Sequence, residues 1–486
     1  ETDRKRFLGD NEYGTWRRPL SLESETLSGK DSVRGDIIAA LQYDLAVLTP
    51  GEESVTVTRL FQAPSLKTAP QLCETDFGLR ESQAAFAKLQ AFWDSYLSVV
   101  RIDTPDPAFN SMLNIHNPRP CYTTKTWSRY LSLYQLGYGS DRGIGLRDSS
   151  QDTMGVIAQI PGEARELIEK LLSVQSIDGS AYHQCNPLTM TAGRGDSMEY
   201  EDRPHFYSDD HLWIVLAVSS YLKETGDYAF LDKVIPFYEK DKSEQPLETG
   251  TVLEHLERAV AFTNRTTGAH GLPLLGFADW NDTVNLPTGA ESLFTAHLYG
   301  WALSEMVELS AFRKDGKREM YQAWHASMKE TVNKEAWDGD WYVRYFDDKG
   351  NPVGSSKNEF GKLWLNGQSW AVLSGFADGT DRGRKAMDAV KKHLATDKGI
   401  KLSWPGYNGF DPQKGGVTTY PPGAKENGGI FLHPNPWAII AETMLGDGDQ
   451  AFSYYSRINP AAKNDSIDEY ECEPHCYAQN ILSNEH

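Results

Sequence analysis

The periodicity of hydrophobic positions divides the chain into two regions. Over residues 37–48 and 55–61, apolar, aromatic and β-branched residues form runs or alternate with polar ones, and a Pro-Gly pair separates the two segments. This pattern predicts β-strands. From about residue 76 onward, apolar residues recur at intervals of three and four, which predicts amphipathic helices. We therefore expect the closing part of a β-domain with its linker over residues 1–75 and a helical domain over residues 76–486.

The helical region contains twelve predicted segments. They cover residues 84–100, 122–136, 151–160, 162–174, 209–225, 252–262, 290–312, 318–336, 368–376, 384–394, 436–445 and 474–482. Twelve segments form six helical hairpins. A solenoid of stacked hairpins would show a recurring sequence period, and this chain has none. The pattern therefore favours a mainly α fold, an (α/α)6 barrel.

Four long connections between these helices are rich in Gly, Trp, Asp and Asn. They cover residues 137–151, 186–210, 268–289 and 403–435. In a barrel of hairpins such loops gather over one end, and long structured loops in a helical domain usually carry the function. We expect the site there.

Composition narrows the ligand class. The chain has 13 Trp, 23 Tyr and 19 Phe, an aromatic content that suits stacking against flat ligands such as sugars. The net charge of −20 argues against non-specific binding to nucleic acid or to an anionic membrane, so an anionic ligand needs a local cluster of Arg, His and backbone N–H groups. No apolar run approaches the roughly 20 residues of a membrane span.

Cysteines and chain ends add two expectations. Five cysteines are few and odd in number, which favours a reducing, cytoplasmic compartment over a disulfide framework. Cys472, His475 and Cys476 have ligand-like spacing but lack a fourth ligand nearby, so we expect no metal. The first residues hold neither Met nor a signal-like apolar stretch, and the last predicted helix has no stop signal, so we expect a chain cut at both ends.

The most informative stretch ends in Asp279-Trp280-Asn281-Asp282, just before a predicted helix. A carboxyl group pressed against an indole in a partly dry loop has its charged form disfavoured, so its pKa rises and it can remain protonated near neutral pH. A general acid for a glycosidic oxygen needs that property. The alternative is that both acids cap the following turn.

Two glycine-rich stretches offer binding groups. Residues 137–152 carry Arg142, Arg147, Asp148 and Asp152, whose forked donors and acceptors suit sugar hydroxyls, although a salt-bridged loop would look the same.

The second stretch carries Lys425, Glu426 and His433 at the entrance of a predicted helix, a typical anion site that a structural loop can also resemble. Further along, Glu469, Glu471 and Glu473 alternate and could be acid–base groups, but a solvated acidic face is the more common reading.

Taken together, these stretches resemble the inverting disaccharide phosphorylases of glycoside hydrolase family 94, which includes the cellobiose, chitobiose and cellobionic acid phosphorylases. Five motifs carry the resemblance, in the family's order: Arg-Asp-Ser-Ser-Gln-Asp at 147–152, Asp-Asp-His-Leu-Trp at 209–213, Asp-Trp-Asn-Asp at 279–282, Pro-Gly-Ala-Lys-Glu-Asn-Gly-Gly-Ile-Phe at 422–431 and Ile-Asp-Glu-Tyr-Glu at 467–471. The resemblance implies an (α/α)6 barrel catalytic domain, incomplete at its C-terminus, preceded by the remnant of an N-terminal β-sandwich, whose closing strands residues 7–62 resemble.

The resemblance also implies an activity. In this family phosphate attacks the anomeric carbon from the face opposite the leaving sugar and yields an α-glycosyl phosphate, here α-glucose 1-phosphate. One protein carboxylic acid is then sufficient, because phosphate is the nucleophile. Phosphate is thus a co-substrate, and no cofactor is expected. The matching residues are Asp282 as general acid; Arg142, Asp148, Trp280, Glu426 and Gln479 around the transferred sugar; Arg129 and His433 at phosphate; and Lys425 beside the acceptor.

One departure from the family's pattern concerns the acceptor part of the substrate. Lys414 stands where an acid that contacts the acceptor glucose is expected, and a base there suits an aldonate carboxylate. The resemblance therefore implies a β-glucosyl disaccharide of the cellobiose or cellobionic acid type. The family's phosphate site is completed by a Thr-Gly pair beyond the position of Gln479, and this chain ends at His486.

Two other functions stay open at this point. One is an inverting hydrolase on the same barrel, with Glu471 or Glu473 as base. The other is a non-catalytic glycan-binding or chain-length-controlling module of a glucan synthase. Family members are commonly homodimers, which the residues of this chain neither require nor exclude.

Overall fold

The computed structural model describes residues 2–9, 19–32, 37–59, 67, 70–71, 78–128, 144–187 and 189–483. The chain forms two compact units, Glu1–Asp94 and Ser95–His486. All candidate site residues of the sequence lie in the larger unit.

The described residues contain fifteen α-helices: α1 (Arg4–Leu8), α2 (Leu79–Ser98), α3 (Pro107–Ser111), α4 (Pro118–Thr123), α5 (Leu146–Met154), α6 (Pro161–Leu172), α7 (Asp210–Thr225), α8 (Val252–Arg265), α9 (Leu293–Arg313), α10 (Arg318–Glu335), α11 (Leu365–Leu373), α12 (Arg382–His393), α13 (Asn435–Met444), α14 (Gly448–Ile458) and α15 (Ile467–Tyr470). Single π-helical turns follow α3 and α4, at Met112–His116 and Thr124–Ser128.

The described strands are short and antiparallel: β1 (Ile144–Gly145), β2 (Gln184–Cys185), β3 (Ala192–Gly193), β4 (Val234–Pro236), β5 (Thr249–Thr251), β6 (Glu291–Ser292), β7 (Tyr345–Phe346), β8 (Pro352–Val353), β9 (Leu363–Trp364), β10 (Ala395–Thr396), β11 (Gly399–Ile400), β12 (Ser403–Trp404), β13 (Ile430–Phe431) and β14 (Asn480–Ile481). They form the sheets β1-β2-β3, β6-β7-β8, β4-β5, β9-β12, β10-β11 and β13-β14.

Two concentric sets of helices build the larger unit. Helices α5, α7, α9, α11 and α13 pack in sequence, each against the next. Helices α7, α9 and α11 are hydrophobic on nearly every face, and all nine residues of α11 are buried, whereas the short α5 buries the polar residues Arg147, Ser149 and Ser150. The helices that follow them have one apolar face each; in α6, for example, Ala164, Leu167, Ile168, Leu171 and Leu172 are buried at helical spacing. A helix buried all round belongs inside and a helix with one apolar face belongs outside, so the sequence pattern itself assigns the two layers.

The predicted sixth hairpin needs a correction. Residues 474–482 are not helical, because β14 pairs there with β13, and Glu471 and His475 have positive φ angles that interrupt a helix. The helix that was not predicted is α14. Its start lies in the Gly-Asp-Gly-Asp run at 446–449, a composition that is typical of a turn. Asp447 is in fact its N-cap and accepts a hydrogen bond from the backbone of Gln450.

Two further predictions change in detail. The helix predicted over 151–160 is α5, which begins and ends about five residues earlier. The one predicted over 122–136 corresponds to the helical run 118–128, and its remaining residues lie outside those described.

The strands predicted over 37–48 and 55–61 are not formed by the described residues. Ile37 makes an isolated bridge with Asp3, and the other described residues of these segments have no strand partner. A β-strand exists only through hydrogen bonds to a neighbour. Large side chains that a sheet would cover, among them Leu41, Tyr43 and Val47, are exposed.

In the described part of the chain, no helix has both the length and the apolar character that crossing a bilayer requires. The same residues contain no group of three or more His, Cys, Asp and Glu side chains placed to hold a metal ion.

Candidate active site

The Asp-Trp-Asn-Asp loop lies across the N-terminal ends of the inner helices. Each inner helix contributes a contact near its N-terminus. Arg147 of α5 donates to the carbonyl oxygens of Asp279 and Trp280, and the backbone of Ser208, before α7, donates to the carbonyl oxygen of Ala278. Ser292, before α9, donates to Asp279, Asn366 of α11 donates to Asn281, and Trp437 of α13 packs against Trp280. Helix N-termini carry partial positive charge and unpaired N–H groups, which favours carboxylates at this end of the barrel.

Asp279 anchors this loop. Its side chain is fully buried and bonds Arg344 through both oxygens, with Nη1–Oδ2 2.6 Å and Nη2–Oδ1 2.9 Å. Ser292 Oγ and the Tyr345 hydroxyl donate to it at 2.6 and 3.1 Å. Burial alone would raise the pKa of Asp279, but the Arg344 charge and these hydrogen bonds outweigh it and hold the pKa below its usual value. Asp279 is therefore a carboxylate, unsuited to donate a proton.

Asp282 has the opposite environment. Its side chain is 53% exposed and faces a cavity of about 900 Å³. Oδ1 accepts a hydrogen bond of 3.0 Å from Nη1 of Arg147. The motif predicts an acid in a partly dry loop, but the dry carboxyl group is that of Asp279. The described residues leave about half of the Asp282 side chain open.

Arg147 connects the two inner helices α5 and α7 to this loop. Its guanidinium is nearly buried and contacts Asp209 through Nε at 2.8 Å and Nη2 at 3.0 Å. Nη1 donates to Asp282 and to the carbonyl oxygen of Trp280. The sequence singled out Arg147 only as one of several donors in a glycine-rich stretch. Its position directly before Asp148 is the feature of the sequence that could have indicated a contact between Arg147 and the site.

The cavity gathers most of the predicted sugar-binding residues. The residues that line it are Asp148, Trp280, Asp282, Glu426, His433 and Gln479, the candidate binding residues Arg147 and Asp152 of the glycine-rich stretch, and Gln151, His116 and Tyr477, which the sequence did not single out. Trp280 is buried and packs edge-to-face against Trp437 at 5.2 Å, so one indole edge is fixed at the cavity wall. Arg129 and Arg142 lie outside the described residues.

Glu426 is a second carboxyl group at the cavity. It is only partly exposed and accepts hydrogen bonds from Thr283 Oγ1 at 2.5 Å and Asn281 Nδ2 at 3.4 Å. Burial, with the nearby charge of Asp282 adding to it, raises the pKa of Glu426 to about 7. Near neutral pH this group can therefore both donate to and accept from a sugar hydroxyl.

The pairing of β13 with β14 explains how two distant residues reach the same wall. Ile430 lies opposite Ile481, and the backbone N–H of Leu432 donates to the carbonyl oxygen of Gln479 at 3.0 Å. This places Gln479 beside His433. The His433 Nε2 is 3.0 Å from Oε1 of Gln151, and its ring packs against Trp280 at 5.2 Å.

The two lysines predicted at the acceptor do not line the cavity. Lys425 has a positive φ angle, and its ammonium lies over the Tyr420 ring at 5.4 Å. Lys414 is on the loop 411–419, which is joined to the residue after the acid, because Val417 N–H donates to the carbonyl oxygen of Thr283 at 2.8 Å. Both lysines thus belong to the loops around Asp282 and not to the cavity itself.

The rival base candidates are elsewhere. Glu471 and Glu473 are exposed, and neither lines the cavity. Glu469 is also exposed and pairs with Lys398.

The chain is similar in sequence to several disaccharide phosphorylases. The chain is 34% identical to an N,N'-diacetylchitobiose phosphorylase of Vibrio proteolyticus over 99% of this chain and 60% of that protein. It is 32% identical to a solabiose phosphorylase of Paenibacillus borealis (98% and 58%) and 25% identical to a cellobionic acid phosphorylase of Neurospora crassa (95% and 55%). The chain thus spans somewhat more than half the length of these relatives.

Two family models cover the chain in order. Residues 1–75 match the supersandwich domain of glycosyl hydrolase 94, and residues 92–486 match the catalytic domain of the glycosyl hydrolase 94 superfamily. The mainly α fold with an N-terminal sandwich domain is confirmed, the latter by the sequence match and not by strands among the described residues. The chain therefore belongs to glycoside hydrolase family 94.

Proposed function

We propose that this chain catalyses the inverting phosphorolysis of a β-linked disaccharide, releasing an α-glycosyl 1-phosphate and a free acceptor sugar. The observation that carries the proposal is the division of labour in the Asp-Trp-Asn-Asp loop: Asp279 is locked as a buried carboxylate, and Asp282 alone of the two faces the cavity. An inverting phosphorylase needs one such acid, because phosphate replaces the water and base of a hydrolase.

In this proposal Asp282 donates its proton to the glycosidic oxygen as the bond from that oxygen to the anomeric carbon breaks. A phosphate oxygen forms the new bond to the same carbon from the opposite face, and the leaving sugar departs as a neutral hydroxyl compound. The proton transfer leaves a carboxylate on Asp282. Arg147 already donates to Oδ1 of this group at 3.0 Å, so its charge stabilises the product of the transfer.

In the proposal the remaining cavity residues bind the transferred sugar and phosphate. Asp148, Glu426 and Gln479 offer acceptors and donors for the hydroxyls of the transferred sugar, and Trp280 packs against it, with Arg142 added from the family pattern. His433 and Arg129 are the phosphate-binding residues of the proposal. His433 is exposed and lines the cavity, with its Nε2 3.0 Å from Oε1 of Gln151.

We propose that the substrate is a β-glucosyl disaccharide, either cellobiose or cellobionic acid. Lys414 supports an aldonate acceptor, because its loop is hydrogen-bonded to Thr283, next to the acid. The relatives act, by their names, on diacetylchitobiose, solabiose and cellobionic acid, so N-acetylglucosamine is the acceptor to test against glucose and gluconate.

One assay distinguishes the candidate functions. The protein is incubated with cellobiose, cellobionate or diacetylchitobiose, with and without inorganic phosphate, and products are identified by NMR. Sugar 1-phosphate of α configuration, formed only with phosphate, is the expected result. Free monosaccharides in both arms would indicate a hydrolase, and binding without turnover would indicate a glycan-binding module. A preference for cellobiose over cellobionate would contradict the role of Lys414.

A further inference from the structure

His183 is a buried imidazole that the mechanism above does not use. It directly precedes β2, and its carbonyl oxygen accepts a hydrogen bond from Leu146 N–H at the start of α5, the helix that carries Arg147 and Asp148. Its side chain is only 17% exposed. It does not line the cavity.

A short chain of polar contacts joins His183 to the acid. Nδ1 of His183 is 2.9 Å from Oδ2 of Asp210, a carboxyl group with no exposed surface. The other oxygen of Asp210 is 3.8 Å from Nη2 of Arg147, whose Nη1 bonds Asp282. His183 and Asp282 are therefore held in the same polar cluster, through Asp210 and Arg147.

Three contacts fix the imidazole ring. Asp210 binds Nδ1, the ring stacks on Tyr207 at 3.6 Å, and Gly195 closes the edge at Cδ2. A Cβ at Gly195 would lie 2.6 Å from Cδ2, so only glycine fits, and its φ of +61° is one that glycine adopts readily. The Nε2 edge is what these contacts leave open. Among the described residues, Nε2 has no hydrogen-bond partner.

The position of His183 relative to the cavity suggests its ligand. Asp282 protonates the oxygen that links the two sugars, so one sugar lies on each side of it. In the proposed function the transferred sugar binds beside Trp280 and Glu426, and His183, which is linked to Asp282 through Asp210 and Arg147, does not line that cavity. We assign the acceptor sugar to the side of Asp282 on which Asp210 and His183 lie.

We propose that His183 binds the acceptor sugar, with Nε2–H donating to a hydroxyl, amide carbonyl or carboxylate oxygen of that sugar, while Asp210 holds Nδ1. This inference rests on the proposed function, because it takes Asp282 as the acid between two sugars. It assigns to His183 a role in acceptor recognition and none in proton transfer to the glycosidic oxygen.

The charge state of the ring is consistent with a donor at Nε2. Burial lowers the pKa of His183, but Asp210 outweighs burial and raises the pKa above its usual value, with a contribution from Asp282 and an opposing one from Arg147. A ring whose Nδ1 hydrogen faces a carboxylate carries a hydrogen on Nε2 when it is protonated.

The test uses synthesis, in which donor and acceptor are varied separately. The substrates are α-glucose 1-phosphate and the preferred acceptor among glucose, gluconate and N-acetylglucosamine. The variant His183→Phe keeps a ring that can stack on Tyr207 and removes the hydrogen-bond donor at Nε2. We expect the KM for the acceptor to rise about tenfold to a hundredfold, the usual range for losing a charge-assisted hydrogen bond, and the KM for the sugar phosphate to stay within about twofold. His183→Gln, which retains a donor, should recover part of the acceptor affinity.

His270 provides a matched control. Its Nδ1 is 2.5 Å from Oε2 of buried Glu291, its ring stacks on Phe346 at 4.0 Å, and its side chain is 22% exposed. His270→Phe removes the same atoms from a similar environment and should leave both KM values unchanged.

The outcomes separate the two proposals. An unchanged acceptor KM in both His183 variants overturns the inference, as does an equal rise of both KM values, which would indicate general damage to the site. If the unmodified protein forms no product from any pair, the proposed function fails instead. Calorimetric titration with the three acceptor sugars then decides on His183: weaker binding by His183→Phe than by His270→Phe supports its role, and equal binding refutes it.

Discussion

Asp279 and Asp282 lie three residues apart in one loop, and each bonds an arginine, yet they have opposite surroundings. Asp279 is fully buried with four donors from Arg344, Ser292 and Tyr345, whereas Asp282 is half exposed with one donor from Arg147. A carboxylate with all its lone pairs satisfied is a structural group, because any ligand would have to displace existing bonds. We infer that the number of free lone pairs, and not the presence of an arginine, separates the anchor Asp279 from Asp282, the acid of the proposed function.

The largest expected effect follows from the reactive side of this comparison. Asp282→Asn removes the proton donor and keeps the size of the side chain, so we expect kcat for phosphorolysis to fall about 10²–10⁴-fold. The free energy of unfolding should change by less than about 1 kcal/mol, since the group is exposed. Initial rates of sugar phosphate formation and urea unfolding of the same preparations measure both. Near-normal phosphorolysis by this variant would refute Asp282 as the acid.

The same substitution at Asp279 should have the reverse profile. Asp279→Asn leaves the buried Arg344 guanidinium without its carboxylate, and breaking a buried ion pair from one side typically costs about 3–5 kcal/mol. We therefore expect a large loss in the free energy of unfolding. Asp282→Asn is the matched control, because it makes an identical chemical change three residues away. A loss of less than about 1 kcal/mol at Asp279 would show that the pair is not an anchor.

This pair also shows how far the sequence could be read. The motif pointed to the loop that borders the cavity, and helical periodicity indicated the inner helices, α5 with a shift of about five residues, because both depend on local spacing. The motif could not say which acid was buried, since that depends on Arg344 and Tyr345, whose β-hairpin reaches Asp279 from more than sixty residues away. For the same reason the segment 474–482 was misread as a helix: its pairing with Ile430 and Phe431 is a tertiary contact with no local signal.

Glu426 adds a third case, a partly buried carboxyl group with no ion-pair partner among the described residues. Its pKa is raised to about 7, so between its ordinary value and 7 the folded state binds a proton that the unfolded chain has lost. The contribution of Glu426 to the free energy of unfolding should therefore be fully present at low pH and be lost as the pH rises through about 7. Glu426→Gln removes this dependence. We expect the melting temperature of the variant to gain on that of the unmodified protein between about pH 5 and pH 8, measured by calorimetry; parallel curves would contradict the raised pKa.

The smallest expected effect tests a single bond of the anchor. Tyr345→Phe removes the hydroxyl that donates to Oδ1 of Asp279 at 3.1 Å and keeps the ring that lies against Arg344. Because Arg344 and Ser292 remain, we expect a loss of about 1 kcal/mol in the free energy of unfolding and unchanged kcat. Tyr454→Phe is the control, since the Tyr454 hydroxyl is buried without a hydrogen-bond partner among the described residues, and its removal should cost nothing. Equal effects at the two positions would mean that the hydroxyl of Tyr345 does not stabilise Asp279, and that the ion pair with Arg344 alone holds the loop.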